Sequence, residues 1–139
     1  MTECLFCAIA AGSVPSFDVF RDDSFVAFLD IRPVFKGHVL VVPRSHVVTL
    51  GELVPVGPYF ELVQRLAVAV ETGLGSGGTF VAINNKVSQS VPHLHTHVVP
   101  RTKGDGLRGF FWPRQRYASE EEAAQYAQRI REAMASAAV

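Results

Sequence analysis

Three of the chain's five histidines stand at positions 93, 95 and 97, inside the run HLHTHVVP. Alternate residues of a strand face the same way, so this spacing predicts that all three imidazoles line one face, their Cα atoms roughly 7 Å apart at each step. Leu94, Thr96 and Val98 then fall on the other face, where Leu94 and Val98 can pack on a core. A single histidine on a strand is most often structural. Three in strict alternation point instead to metal or phosphate chemistry, because imidazole is both the commonest neutral metal ligand and a nucleophile near neutral pH. The only two cysteines, Cys4 and Cys7, form a C-x-x-C. In a reducing compartment that spacing suggests metal or redox chemistry more than a structural disulfide.

The elements that must position these groups are legible from punctuation and period. Leu5 to Ala11 is a short apolar run that reads as a helix, closed by a turn over Gly12, Ser13, Val14, Pro15 and Ser16. Val19–Arg21 and Phe25–Leu29 flank Asp22, Asp23 and Ser24, which predicts a hairpin. His38–Val42 is a β-branched run bounded by Gly37 and Pro43, a third strand. From Pro58, expected at a first helical position, Tyr59, Leu62, Val63, Leu66 and Val70 recur at helical spacing until the glycines at 73, 75, 77 and 78. Thr79–Asn84 and His93–Val99 read as fourth and fifth strands, with Pro100 closing the last. Ser119 and Glu122 make a capping box before a helix whose Ala123, Tyr126, Ala127, Ile130 and Met134 share a face. The order helix, three strands, helix, two strands, helix predicts an α+β fold with a mainly antiparallel five-stranded sheet, in one domain over 1–139.

Composition narrows the function classes. With 48 % hydrophobic and 19 % charged residues, the chain can bury a core and is not of disordered type. Thirteen basic and thirteen acidic residues cancel, which favours small anions over a nucleic-acid polymer as partner. No stretch approaches the ~20 apolar residues that span a bilayer. Leu5–Ala11 lacks preceding positive charge and has Glu3 in its place, unlike a secretion signal, so the expected location is cytoplasmic and no membrane partner is expected.

The run His93–Val99 resembles the motif of the histidine-triad (HIT) family, His-φ-His-φ-His-φ-φ with φ apolar, Thr96 being the one non-apolar φ. CLFCAIAAGSVPS, FLDIRP, KGHVLVVPRSH and QSVPHLHTHVVPR are similar to further family landmarks in the family's order, from about Cys4 to Arg101. The resemblance implies a nucleotide hydrolase acting at the α-phosphorus of a purine nucleotide phosphoramidate or dinucleoside polyphosphate, the alternatives being a nucleotidyl transferase or phosphorylase of the same superfamily and a nucleotide-binding regulator with little turnover. It makes His95 the nucleophile of a nucleotidyl-histidine intermediate and places His97 beside the leaving group, as proton donor or positive charge. It implies that Gln89 and Ser90 hydrogen-bond the phosphate or bridging atom, with Asn84 or Asn85 as a further phosphate contact. By the same resemblance Asp30 accepts from both ribose hydroxyls and Phe28 and Ile31 line the base pocket, alongside the plainer readings of a strand-end turn and of core packing. A homodimer is implied as well.

Some members of the family bind structural zinc through a C-x-x-C, the histidine after the third strand and the first triad histidine. Those positions are Cys4, Cys7, His46 and His93, a closed Cys₂His₂ set; the alternative is that the cysteines only pack and His93 only supports His95. The stretch Lys103–Tyr117 mixes Lys103, Arg108, Arg114 and Arg116 with Phe110, Phe111, Trp112 and Tyr117. It can pack under the last helix, cover the leaving-group side as a lid, or bind a polymer.

Overall fold

A computed structural model describes residues 4–107 and 114–136. Its packing divides the chain into two compact units, 1–105 and 106–139. In the first, α1 (Leu5–Ala11) precedes strands β1 (Asp18–Arg21), β2 (Phe25–Leu29) and β3 (Val39–Pro43), then α2 (Val56–Leu74), β4 (Gly78–Ile83) and β5 (Thr96–Arg101). The five strands form one sheet in the order β1-β2-β3-β5-β4, every neighbouring pair antiparallel. This is the α+β architecture that the sequence predicts.

The pleat of β2 and β3 explains why the sheet is covered on both sides. Phe25, Ala27, Val39 and Val41 join Leu94 and Val98 in a core with Tyr59, Leu62, Val63, Leu66 and Val70 of α2. Val26, Phe28, Leu40 and Val42, the alternate residues, pack with Phe6, Ile9 and Ala10 of α1. Period two sends the two sets to opposite faces. Across the strands the register Phe28↔Leu40↔His97 places His97 on the α1 face. Thr96, facing the other way, is buried against Tyr59, whose hydroxyl donates to the Val41 carbonyl at 2.7 Å and lies 2.6 Å from Thr96 Oγ1. The one polar φ of the histidine run is thus a satisfied core hydrogen bond.

Several expectations shift. β1 starts at Asp18 rather than Val19, and β4 runs Gly78–Ile83 rather than Thr79–Asn84. β3 starts at Val39 and takes in Pro43, rather than spanning His38–Val42. Pro58 is the third residue of α2, not the first, still within the turn whose N–H groups have no helical acceptor. β5 begins at Thr96, not His93, because the Leu94 N–H turns aside to the Val47 carbonyl at 2.7 Å beyond the end of β3. Pro100 lies inside β5 rather than closing it; β3 begins at Val39 opposite Val98, so Pro100 has a strand neighbour on one side only, where a missing N–H is tolerated.

In the second unit α3 (Glu120–Ser136) starts as its sequence predicts: the Glu122 N–H donates to Ser119 Oγ at 3.1 Å. Tyr126, Ile130 and Met134 are exposed. Arg108, Phe110, Phe111 and Trp112 lie outside the described residues. Lys103, Arg114, Arg116 and Tyr117 are exposed.

Candidate active site and metal-ligand cluster

His95 is buried, 4 % exposed, and its Nδ1 lies 2.8 Å from the backbone carbonyl of His93. A carbonyl only accepts, so the proton sits on Nδ1 and the Nε2 lone pair is free. The same reasoning runs through two further rings. The Val34 N–H donates to His38 Nδ1 at 3.1 Å, which leaves the proton of neutral His38 on Nε2. His38 Nε2 is 2.9 Å from His97 Nδ1, so His38 donates and His97 accepts. His97 therefore carries its own proton on Nε2. Burial, with the His95 and His38 rings beside it, pushes His97 down to about 4. Burial also lowers His38, although Asp30, 3.8 Å from its Nδ1, pulls the other way. Both rings are neutral near pH 7. One ring offers a lone pair and its neighbour, 5.1 Å away between centroids, an N–H.

His95, His97 and Asp30 border a cavity of about 370 Å³. Phe6, Ile9, Val14, Phe28 and Leu40 give it an apolar wall, and Ser16, Asp30, Arg32, Ser90, His95 and His97 supply polar lining. Such a mixture of an apolar slot and a few convergent polar groups suits a small ligand with one flat and one charged end. Asp30 is half-buried; its Oδ1 accepts from the Arg32 N–H at 2.9 Å, holding the carboxylate at the end of β2. Phe28 is at once core and cavity wall, and Ile31, 82 % exposed, forms part of the rim. Ser90 lines the cavity. Gln89 and Asn85 do not: Gln89 accepts from the Lys86 N–H and donates to the Val48 carbonyl, while Asn85 accepts from the Leu50 N–H. Their amides staple the loop before the histidine run to the segment after β3. Asp30, His38 and His97 each offer a ligand atom within 4.8 Å of the others, but His38 and His97 are engaged with each other, the geometry of a relay.

His93 faces elsewhere. Its Nε2 donates to the Pro43 carbonyl at 2.8 Å, which turns the Nδ1 lone pair toward Cys4 Sγ at 3.3 Å and Cys7 Sγ at 3.5 Å. His46 Nδ1 is 3.2 Å from Cys7 Sγ. The four ligand atoms lie within 4.8 Å of one another. Burial, then the neighbouring Cys4, raises the Cys7 thiol. Two thiols compete for a single lone pair on His93, a set that a bound cation satisfies better than protons do. The donor types are those of structural zinc, with the Pro43 carbonyl as the outer partner that orients a metal-ligating histidine.

Residues 11–104 match the HIT domain. The chain belongs to the HIT family. Among its HIT relatives, "Protein hit" of Bacillus subtilis strain 168 is 41 % identical over 115 residues, 79 % of each chain. The adenosine 5'-monophosphoramidase hnt1 of Schizosaccharomyces pombe is 32 % identical over 123 residues, 86 % of this chain and 90 % of that one. Of solved structures, a zinc-bound histidine-triad protein from Mycobacterium smegmatis superposes with a TM-score of 0.70 at 37 % identity, covering 94 % of this chain and 97 % of the other. In this HIT chain the structure adds one residue that the reading of the sequence missed, His38. The available signal was its place two residues before Leu40: alternate residues of an extended chain share a face, and Leu40 meets His97 across the sheet.

Proposed function

We propose that this protein is a nucleotide hydrolase that cleaves at the α-phosphorus through a nucleotidyl-His95 intermediate. The observation that carries this reading is the fixed tautomer of His95, with Nδ1–H on the His93 carbonyl and Nε2 the nitrogen left to attack. Attack forms the P–Nε2 bond as the bond to the leaving group breaks, and the positive charge acquired by His95 is met by the same carbonyl. His97, neutral and with its proton on Nε2, acts as a hydrogen-bond donor where negative charge gathers on the phosphoryl or leaving atom. The Asp30 carboxylate accepts from the ribose hydroxyls, Phe28 and Ile31 flank the base, and Ser90 meets the phosphate. The name of the S. pombe relative favours a purine nucleoside phosphoramidate over a dinucleoside polyphosphate. The test is rapid quench of enzyme with an adenosine 5'-phosphoramidate, followed by mass analysis of the intact chain. A covalent nucleotide on His95 that forms and decays at the rate of turnover supports the reading, and turnover without it refutes it.

The Cys4, Cys7, His46 and His93 set would hold one structural zinc, tying α1 to the segment that carries His95. Bound there, the metal supplies structure and no chemistry to the phosphate. The free cysteines suit a reducing, cytoplasmic compartment. A homodimer fits the sheet, since β4 is an edge strand whose Val81 is 42 % exposed on the α2 face, with Phe60 and Val68 of α2 exposed as well.

A further inference from the structure

We infer that Phe6 is a positioning residue for His95, and that the Cys4, Cys7, His46 and His93 cluster governs it, so that metal-ligand cluster and nucleophile move as one unit. The inference rests on His95 being the nucleophile. Phe6 stands on α1 between the two cysteines and is 5 % exposed. Its ring meets three others edge to face: His95 at 5.0 Å and 75°, Phe28 at 5.6 Å and 62°, His93 at 6.0 Å and 82°. The Nδ1–H bond of His95 survives only while the imidazole keeps its ring angle, and the edge of Phe6 is one of the surfaces that hold that angle.

His93 couples the two sites through the backbone as well. Its side chain reaches the cysteines and Pro43, while its own carbonyl accepts the proton of His95. Beyond the apolar packing of Phe6, Ile9 and Ala10 on the sheet, the helix is held at its two ends by different means. Arg21 donates to the Ala10 and Ile9 carbonyls at its C-terminal end. At the other end Cys4 accepts from the Cys7 N–H, and the two thiols face His46 and His93. Releasing the cysteine end leaves Arg21 in place, so α1 pivots and carries Phe6 away from His95.

The experiment uses the full chain. Imidazole ¹⁵N spectra at one fixed pH report the tautomer of His95, and steady-state kinetics on an adenosine phosphoramidate report kcat and KM. Wild-type protein purified with its metal should show a single Nδ1–H tautomer. Chelation, or Cys7→Ser, should give mixed tautomers and a kcat reduced about two- to tenfold, the worth of one edge-on aromatic contact. KM should rise as well, because Phe6 and Ile9 of α1 form part of the cavity's apolar wall, so the tautomer is the readout that separates the coupling from weaker binding. Phe6→Leu, which keeps α1 apolar, should give the same mixed tautomers, and added zinc should restore the chelated wild type but not this variant. Unchanged His95 signals in both variants and after chelation, with only the melting temperature lowered, would overturn the inference. A wild type that binds nucleotide and shows the tautomer change yet turns over no substrate would sink the hydrolase reading while leaving the coupling intact.

Discussion

Replacing His38 tests the relay directly. His38 is 3 % exposed, and its Nε2–H is the donor that keeps His97 Nδ1 unprotonated. In His38→Leu that donor disappears and His97 Nδ1 faces an apolar group. Were tautomer choice the whole effect, half of the His97 rings would still present Nε2–H and the rate would fall only about twofold. An unpaired buried acceptor costs more, about 1–3 kcal/mol. If that cost falls on the transition state, where the N–H must be aimed, kcat drops roughly 5- to 150-fold. His38→Gln retains an amide N–H for His97 Nδ1 and should recover most of the loss. The assay is kcat on a series of nucleotide phosphoramidates with leaving groups of graded basicity, with the melting temperature followed in parallel. A His38→Leu enzyme within twofold of wild type, or a His38→Gln enzyme no better than it, would refute the relay.

His95→Ala should abolish turnover and nucleotidylated protein while nucleoside monophosphate still binds, checked by intact mass and calorimetry. Elemental analysis of protein purified without chelator should find one zinc per chain, and chelation should lower the melting temperature; absence of zinc together with an unchanged melting temperature would dismiss the Cys₂His₂ site. Tyr59→Phe leaves the Val41 carbonyl and Thr96 hydroxyl without their buried partner and should cost about 1–3 kcal/mol in denaturant unfolding, with little effect on KM. His97, held down to about 4 chiefly by burial, is lost as a neutral donor only as pH falls through that value, so kcat should show no acid limb near 6.5 from this ring. An unfolded histidine titrates near 6.5, so between about 6.5 and 4 the unfolded chain binds the extra proton. Stability should therefore fall as pH drops across that window and this contribution level off below it, as melting temperature against pH will show.

The element order was legible because β2 and β3 are short apolar runs bounded by turn residues and α2 keeps a strict helical period. What escaped depended on chain ends and side-chain hydrogen bonds. Nothing in HLHTHVVP says that Leu94 will leave the ladder for the Val47 carbonyl, so β5 read three residues too early. Gln89 and Asn85 illustrate the second case: nothing in the sequence says that their side-chain amides bond the backbone groups of Lys86, Val48 and Leu50. His38 was hidden because its period-two relation to Leu40 gives a face but not a partner, and only the pairing of β3 with β5 brings it to His97.

Three chemically identical side chains at period two end up with three different tasks, and the strand is not what separates them. Each ring has two nitrogens, and the partner that claims one decides what the other can do. The Pro43 carbonyl accepts from His93 Nε2–H and sends Nδ1 to the cysteines; the His93 carbonyl accepts from His95 Nδ1–H and frees Nε2; His38 Nε2–H donates a hydrogen bond to His97 Nδ1 and leaves the His97 Nε2–H as a donor. Two of those partners are backbone carbonyls, which no side-chain substitution removes without moving the chain. The third is a side chain. The task of His97 is therefore the one open to a single mutation, and a HIT chain lacking a donor at position 38 would have to orient its His97 by another route or lose the polarised N–H.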